Sequence, residues 1–126
     1  MKEAEAKLRI SSVEGARKAA LKLGAQFVRK TRQSDRYLSH PCREFAMTDE
    51  ALRLRREGTR CYVTYKGPKE ASSVKRRIEH ECEVSDPAEM ERILSSLGFR
   101  VTADIVKERG TYGLGPYEIS IDLVRG

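Results

Sequence analysis

No stretch of the sequence approaches the roughly 20 consecutive apolar residues that a helix needs to cross a bilayer. The N-terminus also lacks the apolar core of a signal peptide. With 35% of residues charged, the expectation is a soluble, cytoplasmic protein with no membrane association. Cysteine is scarce. Cys42, Cys61 and Cys82 are odd in number and contain no C-x-x-C pair, which argues against a disulfide framework and against a zinc knuckle. Neither G-x-S-x-G nor H-E-x-x-H occurs. Gly113-Leu114-Gly115 lacks the rest of a phosphate loop and reads as a turn. His40 and His80 have no neighbouring pattern that marks a catalytic base.

The sequence is rich in charge, arranged with a period. The 126 residues have room for one domain, and the net charge of +6 points to a polyanionic partner. At the N-terminus Ala4, Ala6, Leu8 and Ile10 alternate with Glu3, Glu5, Lys7 and Arg9, the period of a β-strand. Ser12 then caps a helix carrying Val13, Ala16, Ala20 and Leu23, which Gly24 ends. Strands are expected over 26–39, 51–57 and 60–66, the last two joined at Gly58-Thr59, with a polar stretch over 41–49. A further strand over 74–84 leads to Asp86-Pro87, a capped start for a second helix that runs to Leu97 and stops at Gly98. Strands over 99–109 and 117–124, separated by a turn at 113–116, complete the order.

That order repeats itself. A strand bearing Glu-x-Glu, a helix ending in Leu-Gly and another strand occur twice, with Glu3 and Glu5 and Leu23-Gly24 in the first copy, and Glu79 and Glu81 and Leu97-Gly98 in the second. The expected class is α+β, a pseudo-symmetric antiparallel sheet or barrel with two helices packed outside.

Residues two apart in a strand share a face, so Glu3, Glu5 and Lys7 form one row, and Arg77, Glu79, Glu81 and Glu83 another. Carboxylates about 7 Å apart on one face repel, and Mg²⁺ or Mn²⁺, which favour oxygen ligands, would neutralise them. Glu118, Ser120 and Asp122 share a parity in the last strand, and Asp122 is a candidate further ligand. Arg53 with Arg55, and Lys107 with Arg109, form matching basic rows suited to gripping phosphate oxygens. Alternation alone favours a sheet whose charged face is simply wet. Tyr37, Tyr62 and Tyr65 read as packing residues. The charge balance also admits an RNA-binding domain, but the glutamates mixed among the arginines argue against it.

The residues become specific when taken together. Glu3-Ala-Glu5-Ala-Lys7 resembles the E-x-E-x-K signature of the class IV adenylyl cyclase and thiamine triphosphatase superfamily, the CYTH or triphosphate tunnel metalloenzymes. The resemblance continues through Gln33-Ser-Asp35-Arg-Tyr37-Leu38, Thr48-Asp-Glu50-Ala-Leu52-Arg53-Leu54-Arg55, Tyr65-Lys66-Gly67-Pro68, Arg77-Ile-Glu79-His-Glu81, Lys107-Glu-Arg109 and Ile121-Asp122. It implies a closed antiparallel barrel with a polar lumen and outer helices. It further implies that Lys7, Arg53, Arg55, Lys66, Arg77, Lys107 and Arg109 bind a triphosphate, with Lys7, Arg53, Arg55 and Lys66 catalytic. Glu3, Glu5, Glu79, Glu81 and Asp122 would hold one or two Mg²⁺ or Mn²⁺ ions. The implied substrate is ATP, thiamine triphosphate or tripolyphosphate. The implied reaction is cyclisation of ATP to cyclic AMP and pyrophosphate, or alternatively triphosphate hydrolysis, with binding without turnover as a third reading. Members continue beyond the aspartate strand into Leu-Gly-x-Phe-x-Glu-Ile-Glu, whereas this sequence stops at Val124-Arg125-Gly126. The resemblance therefore also implies a barrel that is open, shortened or finished by another chain, with an edge that favours pairing into a homodimer.

Overall fold

A computed structural model describes residues 2–5, 12–70 and 75–125, with the backbone alone for 2–5 and 75. Strand β1 spans Lys2–Glu5, and α1 spans Val13–Lys22, where the Ser12 side chain accepts a hydrogen bond from the Gly15 amide. β2 covers Gln26–Ser39, β3 Ala51–Glu57 and β4 Arg60–Lys66. β5 covers Lys75–Glu83 and α3 Pro87–Ser96, with Asp86 accepting from the Glu89 amide. β6 runs over Arg100–Leu114 and β7 over Tyr117–Arg125.

Two local expectations are corrected. The polar stretch before β3 holds a short helix, α2, over Phe45–Thr48, too brief to show a hydrophobic period and without a side-chain cap. Gly113 does not turn; it sits in the ladder opposite Gln26 and Glu118, and β6 continues to Leu114 before reversing at Gly115, whose φ is 59°.

The strands form one antiparallel sheet in the order β1-β5-β4-β3-β2-β6-β7. Among the described residues β1 and β7 stand at opposite ends of that order, so the sheet is a curled half-barrel, the open form of the antiparallel barrel expected from the sequence. The order is built around the two copies of the repeated unit. Their long strands, β2 and β6, pair with each other from Gln26↔Gly113 to Ser39↔Arg100, and their first strands, β1 and β5, also pair.

Both longer helices end in the same way. After α1 the Gly24 amide donates to Leu21 O and the Ala25 amide to Ala20 O; after α3 the Gly98 amide donates to Ser95 O and the Phe99 amide to Leu94 O. Each closes a Schellman cap, in which the glycine takes a positive φ and the next residue folds an apolar side chain back toward the helix. Ala20 and Ala25 pack with Tyr112 and Ile121, placing α1 on the β6–β7 side of the sheet. Leu94 joins Leu38, Leu52 and Leu54, with Phe45, Val63, Met90 and Phe99 around them, placing α3 over β2, β3 and β4. The apolar parity of β3 is thus spent under α3 and that of β7, through Ile119 and Ile121, under α1, which turns Arg53, Arg55 and Asp122 to the other face.

Candidate active site

On β3 the pleat that puts Leu52 and Leu54 under α3 puts Arg53 and Arg55 on the helix-free face. Facing them across the ladders are Thr64 and Tyr62 of β4, and Tyr37 and Asp35 of β2. This face is not a plain wet surface. Asp35, Arg53, Thr64 and Glu79 are buried, with Arg53 only 7% exposed. Charged groups at that depth persist only when paired, and the pairs fall into three connected groups.

The first lies on β3, β4 and β5. Lys66 Nζ is 2.7 Å from Glu79 Oε1. The Thr64 hydroxyl donates to Glu81, and Arg53 Nη2 lies 3.5 Å from that hydroxyl and 3.8 Å from Glu81 Oε1. Arg53 Nε is buried without a hydrogen-bond partner among the described residues. The second centres on Asp35, which accepts from Arg55 Nε at 2.7 Å and Nη2 at 2.8 Å and lies 3.5 Å from Lys107 Nζ. Burial alone would push its carboxyl up. The hydrogen bond and charge of Arg55, with Arg53 and Lys107 behind, instead hold it below the ordinary 3.8. Arg55 loses some preference for its charge to burial, and Asp35 more than restores it, while Arg109 opposes. The third is Arg109, which donates from Nε at 2.7 Å and Nη2 at 2.8 Å to Asp122. That hydrogen bond lowers the Asp122 carboxyl, and Lys107 on the adjacent β6 and Arg55 on the more distant β3 add to the effect. The ladder pairs Asp35↔Arg55 and Gln33↔Lys107 put Arg55 and Arg109 on the same face of the sheet, since Asp35 shares the parity of Gln33 and Arg109 that of Lys107.

Arg53, Arg55, Lys66, Lys107 and Arg109 thus converge with Glu79, Glu81 and Asp122 on one face. Arg77 is drawn partly aside, donating from Nε to Gly67 O at 2.8 Å and from Nη2 to Asp49 O at 3.0 Å, where it ties β5 to the turn after β4. Lys7 lies outside the described residues. Glu3 and Glu5 are placed by backbone register alone, opposite Arg77 and Lys75.

The carboxylates do not all meet. Among the described residues no three of His, Cys, Asp or Glu gather closely enough to hold a metal ion. Glu79 and Glu81 supply carboxylate oxygens on one strand, and Glu3 sits in the ladder opposite Arg77, two residues before Glu79; oxygen donors of this kind suit Mg²⁺ or Mn²⁺. Asp122, near the far end of the strand order, is committed to Arg109.

The residues missed from sequence are Asp35 and Thr64. Asp35 shares the parity of Gln33 and Tyr37, but no spacing rule ties it to Arg55, twenty positions away. The two histidines have local work instead. His40 Nδ1 accepts from the Cys42 and Arg43 amides, and His80 stacks on Tyr65, whose hydroxyl donates to Glu50.

Known proteins share both sequence and shape. MJ0240 of Methanocaldococcus jannaschii, provisionally named an adenylate cyclase, is 40% identical over all of this chain, which spans 72% of that protein. The structure of PH1819 from Pyrococcus horikoshii superposes with a TM-score of 0.80 at 33% identity, covering 99% of this chain and 70% of that one. HpAC1 of Hippeastrum, provisionally named an adenylyl cyclase and described with a dominant triphosphatase activity, shares the fold at a TM-score of 0.67 and 17% identity, over 98% of this chain and 71% of its own. The CYTH domain pattern matches residues 1–126 from end to end, and the chain belongs to the CYTH domain family.

Proposed function

We propose that this chain acts on a triphosphate held against the helix-free face, with a divalent cation at Glu79 and Glu81, and that its reaction is the conversion of ATP to cyclic AMP and pyrophosphate. The observation that carries the reading is the convergence of Arg53, Arg55, Lys66, Lys107 and Arg109 on one semi-enclosed face, with the Arg53 Nε buried and lacking a partner among the described residues. A buried guanidinium hydrogen without an acceptor is costly, and a phosphate oxygen is an acceptor of the right charge. The name of the M. jannaschii relative supports the cyclase version.

In this reading Arg53, Arg55 and Lys66, with Lys7, grip the phosphates across β3 and β4, and Lys107 and Arg109 close on them from β6. Glu79 and Glu81, with Glu3 and Glu5 from β1, would hold Mg²⁺ or Mn²⁺. When bound, the ion supplies charge neutralisation for the phosphate oxygens. The fixed side chains align the chain of phosphates for in-line displacement and stabilise the charge that accumulates as the bond to the leaving group breaks. In the cyclase version the ribose 3′-hydroxyl attacks the α-phosphorus and pyrophosphate departs. A second version, hydrolysis, has water attack the terminal phosphorus on the same bed of cations.

Turnover of ATP, tripolyphosphate and thiamine triphosphate with Mg²⁺ or Mn²⁺ tests the reading. Cyclic AMP with pyrophosphate identifies the cyclase, and orthophosphate the hydrolase. Repeating the assay with Glu79→Gln and Arg53→Ala tests the site, and full activity in both variants would sink it. Tight binding without metal-stimulated turnover would mark a binding module.

A further inference from the structure

Asp35 and Arg109 stand at the same place in the two copies of the repeated unit. Asp35 follows the helix-ending Gly24 by eleven positions, and Arg109 follows Gly98 by eleven. Each lies on the long strand of its copy and faces a directly registered partner on the next strand, Asp35↔Arg55 and Arg109↔Asp122. The two pairs have the same bidentate distances, 2.7 and 2.8 Å, with the charges exchanged. They differ in depth. The Arg109 and Asp122 side chains are 27% and 25% exposed, while those of Arg55 and Asp35 are 12% and 0%.

We propose that Asp35 is a positioning residue, a buried carboxylate that fixes Arg55 and Lys107 for a bound triphosphate without touching it. The inference rests on the triphosphate reading above and adds to it a role for a residue outside the cation and metal sets. A carboxylate with no exposure repels phosphate and offers it no surface. Its two oxygens take Nε–H and one Nη2–H of Arg55, which leaves the Nη1 edge of a guanidinium that no longer swivels. Lys107, a flexible point charge on a neighbouring strand, is drawn toward the same carboxylate at 3.5 Å. One buried negative charge therefore orients two cations from two strands that are not neighbours, since β2 lies between β3 and β6. A side chain that acts in this way lowers total attraction for a polyanion while improving alignment.

That opposition gives the test. Calorimetric binding of tripolyphosphate and steady-state turnover are measured on the wild-type chain and on Asp35→Asn, with the thermal midpoint recorded for each. Positioning predicts a split: tripolyphosphate binds Asp35→Asn as tightly as wild type or more tightly, because the site gains one unit of net positive charge, while kcat falls about tenfold or more from lost alignment. A merely structural role would lower binding and turnover together. Parallel loss, or a folded Asp35→Asn with wild-type kcat, overturns the proposal. If Asp35→Asn does not fold, Asp35→Glu decides: it keeps the buried charge and displaces the two acceptor oxygens, so wild-type tripolyphosphate binding with a lowered kcat supports positioning and an unchanged kcat overturns it. A wild-type chain that does not bind tripolyphosphate overturns the triphosphate reading itself, which separates that failure from failure of the Asp35 assignment.

Discussion

Arg53 Nη2 comes within 3.8 Å of Glu81 Oε1 although β4 lies between their strands. Strands two places apart in a sheet are separated by roughly 10 Å, so the approach depends on what occupies the strand between. That residue is Thr64, small and fully buried, whose hydroxyl donates to Glu81 while the guanidinium passes beside it. A bulky side chain there would hold acid and base apart.

Arg53→Ala is expected to separate activity from stability. Its Nε gains no hydrogen bond among the described residues, and Glu81 keeps the Thr64 hydroxyl and 40% side-chain exposure when Arg53 is removed. Loss of a phosphate-binding guanidinium should lower kcat/KM by about 100-fold or more. The thermal midpoint should move by only a few degrees, on the order of a 1 kcal/mol change. A midpoint that collapses along with the activity would show Arg53 to be chiefly structural.

Acid should weaken the fold through identifiable carboxylates. Arg55 outweighs burial to hold Asp35 below its ordinary 3.8, and Arg109 does the same for Asp122. The Tyr65 hydroxyl first, then Thr48 and Arg43, bring Glu50 from 4.5 down to about 2. Groups depressed on folding contribute stability that is complete above their unfolded values and disappears as pH falls through the folded ones. Urea midpoints should therefore be flat above about pH 5 and fall steadily below it. Chemical shifts of Glu50 should titrate near pH 2, and a Glu50 midpoint near 4.5 would remove it from the account.

Leu54→Ala should cost about 2–5 kcal/mol, because Leu54 is buried with Leu38, Leu52 and Leu94 where β3 meets α3. Leu97→Ala, at a position 63% exposed, should cost no more than about 0.5 kcal/mol. Equal urea midpoints for the two variants would contradict the placement of the α3 core.

The two helix-ending glycines should differ in their tolerance of alanine. Gly24 has a φ of 94° with open space where a Cβ would stand, so Gly24→Ala should cost about 1–2 kcal/mol of backbone strain alone. Gly98 has a φ of 96°, and a Cβ there would lie 3.0 Å from Pro41 Cβ, so Gly98→Ala should melt lower than Gly24→Ala. The reverse order would mean that the 98–99 turn yields more readily than its packing suggests.

Most elements could be read from the chain because their causes are local. Ser12 and Asp86 cap helices three residues away, Gly24 and Gly98 end them, and alternation over a few residues places Arg53 and Arg55 on one face and Leu52 and Leu54 on the other. The same rules failed at α2, where four residues hold too few contacts to leave a period, and at Gly113, where ladder pairing on both sides overrides a glycine's preference for turns.

The sequence by itself determined which side chains share a face, since the two-residue period of a strand depends on nothing beyond the strand. Only the tertiary structure decided which acid meets which base: Asp35 with Arg55 and Lys107, Glu79 with Lys66, and Asp122 with Arg109, apart from Glu79 and Glu81. Those choices follow from strand order and register between segments well separated along the chain, and these are fixed by burying the two apolar clusters beneath α1 and α3.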